Sequence, residues 1–209
     1  MVKLLTVLFL GLSPAAYGYV CNTVPDPVAG PHNDIPTRFV VLSRPLRVGD
    51  TVVINGKVVP DVQAKKRLSI DLLVGTKPVY YKTVSTLHFT AQYDLNQTSI
   101  GDYQPNKNQV FREEKVLPLA FTFDPFSLRV KVEADGYSIY VDKKFLYKLK
   151  YFKENYSTVQ TLYFQNVDFH TECFIDCKEE KVCPNTGGGE KTFIVGQRVF
   201  REVDGTCPA

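Results

Sequence analysis

The stretch TLHFTAQYD (86–94) alternates His88, Thr90 and Gln92 with Leu87, Phe89, Ala91 and Tyr93. Successive side chains of a strand point to opposite faces, so this spacing gives one apolar face and one row of hydrogen-bonding groups. The run 109–117 offers a second row, with Phe111, Glu113 and Lys115 on one parity and Val110, Arg112 and Glu114 on the other. An imidazole, a hydroxyl, an amide, a carboxylate, a cation and a ring on one shallow face could orient the hydroxyls of a sugar and pack on its C–H face. The wet side of any half-buried antiparallel strand shows the same alternation without a ligand. Pattern alone does not separate these two readings.

Catalysis has weaker support. Glycoside hydrolysis needs two carboxyl groups about 5 to 9.5 Å apart across one bond. Glu113-Glu114 is the only dense acidic pair within a strand-like run. Adjacent strand residues face opposite ways, so the two cannot share a groove. No nucleophile elbow accompanies the three histidines His32, His88 and His170. GGGEKT (187–192) places Glu190 where a phosphate loop needs its last glycine, and no strand-to-helix context surrounds it. The reading is a protein that is not an enzyme and needs no cofactor or metal.

The elements that would position such rows are strands almost throughout. Candidates run over 38–42, 51–54, 68–74, 86–93, 98–104, 109–121, 126–134, 137–142, 144–152 and 159–169, rich in Tyr, Phe and β-branched residues. Asn55-Gly56 is a two-residue hairpin signal, and Asp135-Gly136 separates two alternating runs. No useful length has helical spacing. Short strands with this punctuation predict an antiparallel sandwich or barrel.

The flanks differ in character. Lys3, the apolar run LLTVLFLGL (4–12) and the small residues Ala16 and Gly18 read as a secretory signal peptide over 1–18, with Tyr19 as the first mature residue. Residues 19–35 form a proline-bearing extended leader. The chain carries a net charge of +3, or +2 once Lys3 leaves with the peptide, spread along its length. That gives no footprint for nucleic acid or an anionic membrane, and no second apolar segment is long enough to insert in one. The cluster Lys65, Lys66 and Arg67 reads as a solvated loop.

All five cysteines, Cys21, Cys173, Cys177, Cys183 and Cys207, lie in the mature part. Secretion favours disulfides, and the spacing of the last four fits no paired C-x-x-C zinc pattern. An odd number leaves one free thiol or one intermolecular bridge, which would link a dimer. Residues 173–209 read as a stapled extension too small to bury a core of its own. Sequons at Asn96 and Asn155 mark candidate glycosylation sites.

RPLRVGDTVVINGKVV, RLSIDLLVG, TLHFTAQY, VFREEKVLPLAFTFDPFSLRVKVEADGYSIYVDKKF and VQTLYFQNVDF together resemble a galectin domain over about residues 36–172. The resemblance implies an all-β fold, an antiparallel two-sheet β-sandwich of jelly-roll type, with β-galactosides bound on its concave face. Against the family's H-x-N-x-R strand, His88 matches, Thr90 stands for asparagine and Gln92 for arginine. Asp102 corresponds to the asparagine of the next strand. In the W-G-x-E-x-R segment Glu113 matches, Lys115 replaces arginine and Val110 falls at the tryptophan, with Phe111 as a substitute ring. The implied carbohydrate-binding set is therefore His88, Thr90, Gln92, Asp102, Phe111, Glu113 and Lys115. The resemblance also sets the first and last strands side by side, which would let Cys21 bridge to the tail. Two functions stay open: a secreted lectin binding glycans or glycoproteins through a degenerate site, or a lectin-derived module that has lost sugar binding and contacts protein partners.

Overall fold

Each of these predicted runs carries a strand in the computed structural model, which describes residues 18–22, 28–29, 36–59, 67–79, 82–105, 110–121, 125–169 and 191–195. The strands are β1 (Gly18–Asn22), β2 (Val28–Ala29), β3 (Pro36–Val41), β4 (Thr51–Val58), β5 (Arg67–Val74), β6 (Ser85–Gln92) and β7 (Gln97–Gln104). They continue as β8 (Val110–Pro118), β9 (Phe126–Val132), β10 (Gly136–Val141), β11 (Lys144–Lys150), β12 (Val159–Gln165), β13 (Val167–Asp168) and β14 (Lys191–Val195). A 3-10 turn, Tyr156–Thr158, precedes β12 and is capped by the Asn155 carboxamide, which accepts from the Ser157 N–H. Among the described residues no helix is long and apolar enough to cross a membrane.

Two sheets form. The first has the order β1-β14-β4-β9-β10-β11, with β13 also paired to β4; the second has the order β2-β3-β12-β5-β6-β7-β8. Pairing is antiparallel except for β1 with β14 and β14 with β4. Alternation explains the layering. Leu68, Ile70 and Leu72 of β5, and Leu87, Phe89 and Ala91 of β6, turn inward against Leu128, Val130 and Val132 of β9. Phe121 stacks on Phe126 at 4.0 Å, and the Thr86 and Tyr137 hydroxyls meet at 2.8 Å between the sheets.

One local expectation is corrected. Asn55-Gly56 makes no hairpin, because β4 runs straight through both residues and pairs them with Ser127 and Phe126. Gly56 serves close packing instead: a Cβ there would lie 2.8 Å from Val167 Cγ1 and 3.1 Å from the Asp168 carbonyl. The hairpin between β10 and β11 turns on Asp142 and Lys143, both at positive φ (47° and 70°) without a glycine.

The tail is also more than an appendix. β14 inserts between β1 and β4 and contributes fully buried Phe193 and Val195 to the common core. Asp50 fastens its start. Its Oδ1 accepts from the Lys191 N–H and from Arg44 Nη2 at 2.9 Å, and its Oδ2 accepts from Arg44 Nη1 at 2.6 Å and from the Arg47 N–H. Cys21 lies in register with Ile194, so leader and tail are neighbours in the sheet. The other four cysteines, the segment 1–17 and most of the leader lie outside the described residues.

Candidate functional site

The outer face of the second sheet bears a groove of about 280 Å³, at the small end of the ~300–1,000 Å³ usual for ligand sites. Its floor follows from register. Asp71 pairs with His88, His88 with Gly101, and Gly101 with Glu113, giving one cross-strand row over β5, β6, β7 and β8. Paired residues share a face, so Ser69–Thr90–Ser99 and Arg67–Gln92–Gln97 form the parallel rows beside it.

His88 sits at the centre. Its Nδ1 lies 2.6 Å from Asp71 Oδ1, and its Nε2 lies 2.6 Å from Thr90 Oγ1. An ionised carboxylate only accepts, so in the neutral ring Nδ1 carries the proton and Nε2 accepts from the Thr90 hydroxyl. Thr90 Oγ1 in turn lies 3.4 Å from Ser69 Oγ. Asp71 is buried, and its Oδ2 has no hydrogen-bond partner among the described residues. The Phe111 ring meets the imidazole edge-on at 4.7 Å and stays 37% exposed, which puts an accessible aromatic surface beside the polar centre. At one end of the groove Gln92 accepts from Gln97 Nε2 at 2.6 Å.

The predicted set divides accordingly. His88, Thr90, Gln92 and Phe111 line the groove together. Glu113 is placed by its backbone in the His88 row, with only Gly101 between them, so no side chain separates the two strands there. Asp102 and Lys115 are not brought to the groove. A register shift in β8 sets Gly101 opposite Glu113 but Ile100 opposite Lys115, leaving Glu114 as the extra residue. The bulge inverts parity, so Lys115 shares the face of core residue Ile100 and not that of Glu113. Asp102, 3% exposed, turns the same way.

Asp102 there anchors a separate network. It accepts from Arg112, whose Nη1 also reaches Glu114 at 2.9 Å and whose guanidinium lies 4.5 Å from the Phe152 ring centroid. Glu114 takes a hydrogen bond from the Tyr147 hydroxyl of the other sheet at 3.1 Å. Partial burial disfavours the Arg112 charge, but Asp102 and Glu114 together outweigh it and hold the pKa above its ordinary value.

Residues missed by the sequence reading are Arg67, Asp71, Ser85, Ser99 and Tyr103, all on the groove wall. Arg67 opens β5 rather than ending a solvated loop, and pairs across from Gln92. A cation therefore stands next to the position where the family pattern has arginine. The signal was present in RLSID (67–71), whose polar residues alternate with Leu68 and Ile70 as those of β6 do. Among the described residues, no three His, Cys, Asp or Glu side chains gather as a metal site would require.

The family model for galactoside-binding lectins matches residues 37–171, most of the chain. The chain belongs to that family. As a galectin it keeps the two-sheet sandwich at low sequence identity. It is similar to sheep galectin-11, solved in complex with glycerol, with a TM-score of 0.50 and 18% identity over 70% of this chain and 95% of that one. A double variant of human galectin-16 gives 0.52 and 17%, covering 62% of this chain and 89% of its own. Galectin LEC-6 of Caenorhabditis elegans gives 0.50 and 14%, covering 62% and 85%. These likenesses show the fold. No curated protein sequence matches the chain.

Proposed function

We propose that this galectin domain is a non-catalytic carbohydrate-binding module that holds a saccharide over β5, β6, β7 and β8. The observation that carries the reading is the junction of His88 with Phe111: a partly exposed imidazole held rigid by Asp71 and Thr90, next to an exposed ring. A sugar laid on this floor meets the ring with its C–H face and Arg67, Gln92 and the backbone-placed Glu113 with its hydroxyls. Affinity is weak, on the order of millimolar for a simple disaccharide, because Arg67 replaces the in-strand arginine from a neighbouring strand and Phe111 is smaller than tryptophan. The two glutamates of β8 do not support glycoside hydrolysis: Glu114 is held by Arg112 and Tyr147 on the inner side of the bulge.

One observation favours the rival reading, a module that no longer binds sugar. Both ring nitrogens of His88 and the carbonyl of Gln92 already have partners within the chain. Lactose and a wider glycan panel, titrated against wild type and His88→Ala with amide chemical shifts as readout, decide between them. Saturable shifts in 88–92 and 111–115 that vanish in the variant support the lectin; stationary signals at high sugar support the rival.

We infer further that the chain is secreted, with cleavage before Tyr19, two intramolecular disulfides and glycans at Asn96 and Asn155. Both asparagines are exposed, Asn96 in the turn at positive φ between β6 and β7, and Asn155 at the cap before β12. Cys21 beside the tail strand supports a bridge from leader to tail. Mass spectrometry of protein from a secreting host, under non-reducing conditions, tests all three.

A further inference from the structure

The first sheet carries a second groove on its own outer face, of about 450 Å³, lined by Thr51, Arg129, Lys131, Tyr140, Lys191 and Thr192 together with Gly49. Register builds it. Thr192, Thr51 and Lys131 form one cross-strand row over β14, β4 and β9, and Arg129 pairs with Tyr140 in the next row. Arg129 and Lys131 are two residues apart on β9, so their Cα atoms lie about 6–7 Å apart and both side chains leave the same face. Both are exposed, between buried Leu128, Val130 and Val132.

Three cations thus converge, and none of the three side chains has a hydrogen bond or ion pair among the described residues. Nearby acids are already engaged. Asp50 is taken by Arg44 and the Arg47 and Lys191 amides. Glu133, two residues beyond Lys131, accepts from Ser138 and pairs with Lys148 at 2.7 Å, and Lys148 also reaches Asp135 at 2.8 Å. Lys131 also helps to hold the Glu133 pKa down, so that carboxylate offsets part of its charge. The charge left over repels among the three cations, and an anion seated between them relieves that repulsion. Two threonine hydroxyls and a tyrosine border the same space, and they hydrogen-bond the hydroxyls of a ligand. The Tyr140 ring, itself braced edge-on by Phe145 at 5.5 Å, supplies an apolar contact.

We propose that this groove binds an oxyanion-bearing saccharide, its sulfate or carboxylate held by Arg129, Lys131 and Lys191 and its ring packed against Tyr140. The site is on the opposite outer face from the His88 groove and does not depend on that groove's function.

The test uses the full chain, with the amide shifts of Thr51, Lys131, Tyr140 and Thr192 as readout. The probes are a sulfated disaccharide, a carboxylated one, their neutral parent, sodium sulfate, and an oligonucleotide of matched charge. The proposal expects saturable shifts with a charged disaccharide, and binding weaker by about tenfold or more for the neutral parent and for sulfate alone. Arg129→Ala with Lys131→Ala lowers affinity by about tenfold or more, and Arg129→Gln with Lys131→Gln repeats the loss with side-chain volume largely kept. His88→Ala and saturating lactose leave the shifts in place. The proposal is overturned by an unchanged affinity in either folded double variant, by equal binding of the neutral parent or of sulfate alone, by tighter binding of the oligonucleotide, or by displacement with lactose.

Discussion

Asp71 Oδ1 stands 2.6 Å from His88 Nδ1 on directly paired residues of neighbouring strands, so one carboxylate fixes which nitrogen of the central imidazole carries its proton. An amide in its place can donate as well as accept. Asp71→Asn therefore releases the tautomer, and nitrogen-detected NMR of the His88 ring reads a mixture where wild type shows one form. With the charged acceptor replaced by a neutral amide and the His88–Thr90 bond loosened, folding stability changes by about 1–3 kcal/mol in the destabilising direction. A single unchanged tautomer in the variant would remove the positioning role assigned to Asp71.

The network at the edge of the second sheet gives a larger effect. Arg112→Ala leaves Asp102, whose side chain is 4% exposed, without its counter-charge. The loss is about 3 kcal/mol in urea unfolding. Asp102→Asn with Arg112→Met recovers a good part of it, since the buried charge and its partner leave together. Equal destabilisation in the single and double variants would count against this account.

Alkaline pH acts through buried phenols. Burial pushes the Tyr93 phenol up to about 12, and Tyr137 and Tyr151 are raised further, also chiefly by burial. A folded pKa above the unfolded value stabilises fully below the unfolded pKa of about 10 and is lost as pH rises through the folded value. Stability should be flat across neutral pH and fall from about pH 10 to 12. Tyrosinate absorbance should then rise in one cooperative step with loss of the β-sheet circular dichroism signal. A gradual rise with the fold intact would show these phenols to be accessible.

Phe193 tests whether the tail belongs to the domain. The side chain is fully buried among the core of the sandwich, so Phe193→Ala costs about 3–5 kcal/mol. Lys144→Ala, at an exposed position of the same sheet, costs within about 0.5 kcal/mol. An unfolding midpoint unaltered by Phe193→Ala would make β14 an ornament.

Particular residues show what the chain discloses before it folds. Leu87, Phe89 and Ala91 announce β6 because its inward face needs an apolar residue at every second place, and the same rule reveals every strand around the groove. Lys115 misleads because a bulge consumes one residue and exchanges the faces beyond it, and nothing in REEK marks where the bulge falls. Asp102 misleads for a related reason: the position facing the groove is its neighbour Gly101, which has no side chain to advertise itself. Arg67 was legible as part of an alternating row but was masked by the two lysines before it. Asn55-Gly56 imitates a turn because its glycine answers to Val167, more than a hundred residues away in sequence.

The insertion of β14 between β1 and β4 carries a consequence for biosynthesis. The ribosome delivers β4 early and β14 among the last elements, yet β4 depends on β14 to cover the Thr51–Ile54 stretch of its backbone edge. Until then the nascent sandwich presents an open row of amide and carbonyl groups, a template on which a strand from another chain could settle. Stalled or prematurely ended translation should therefore yield aggregates nucleated at that seam.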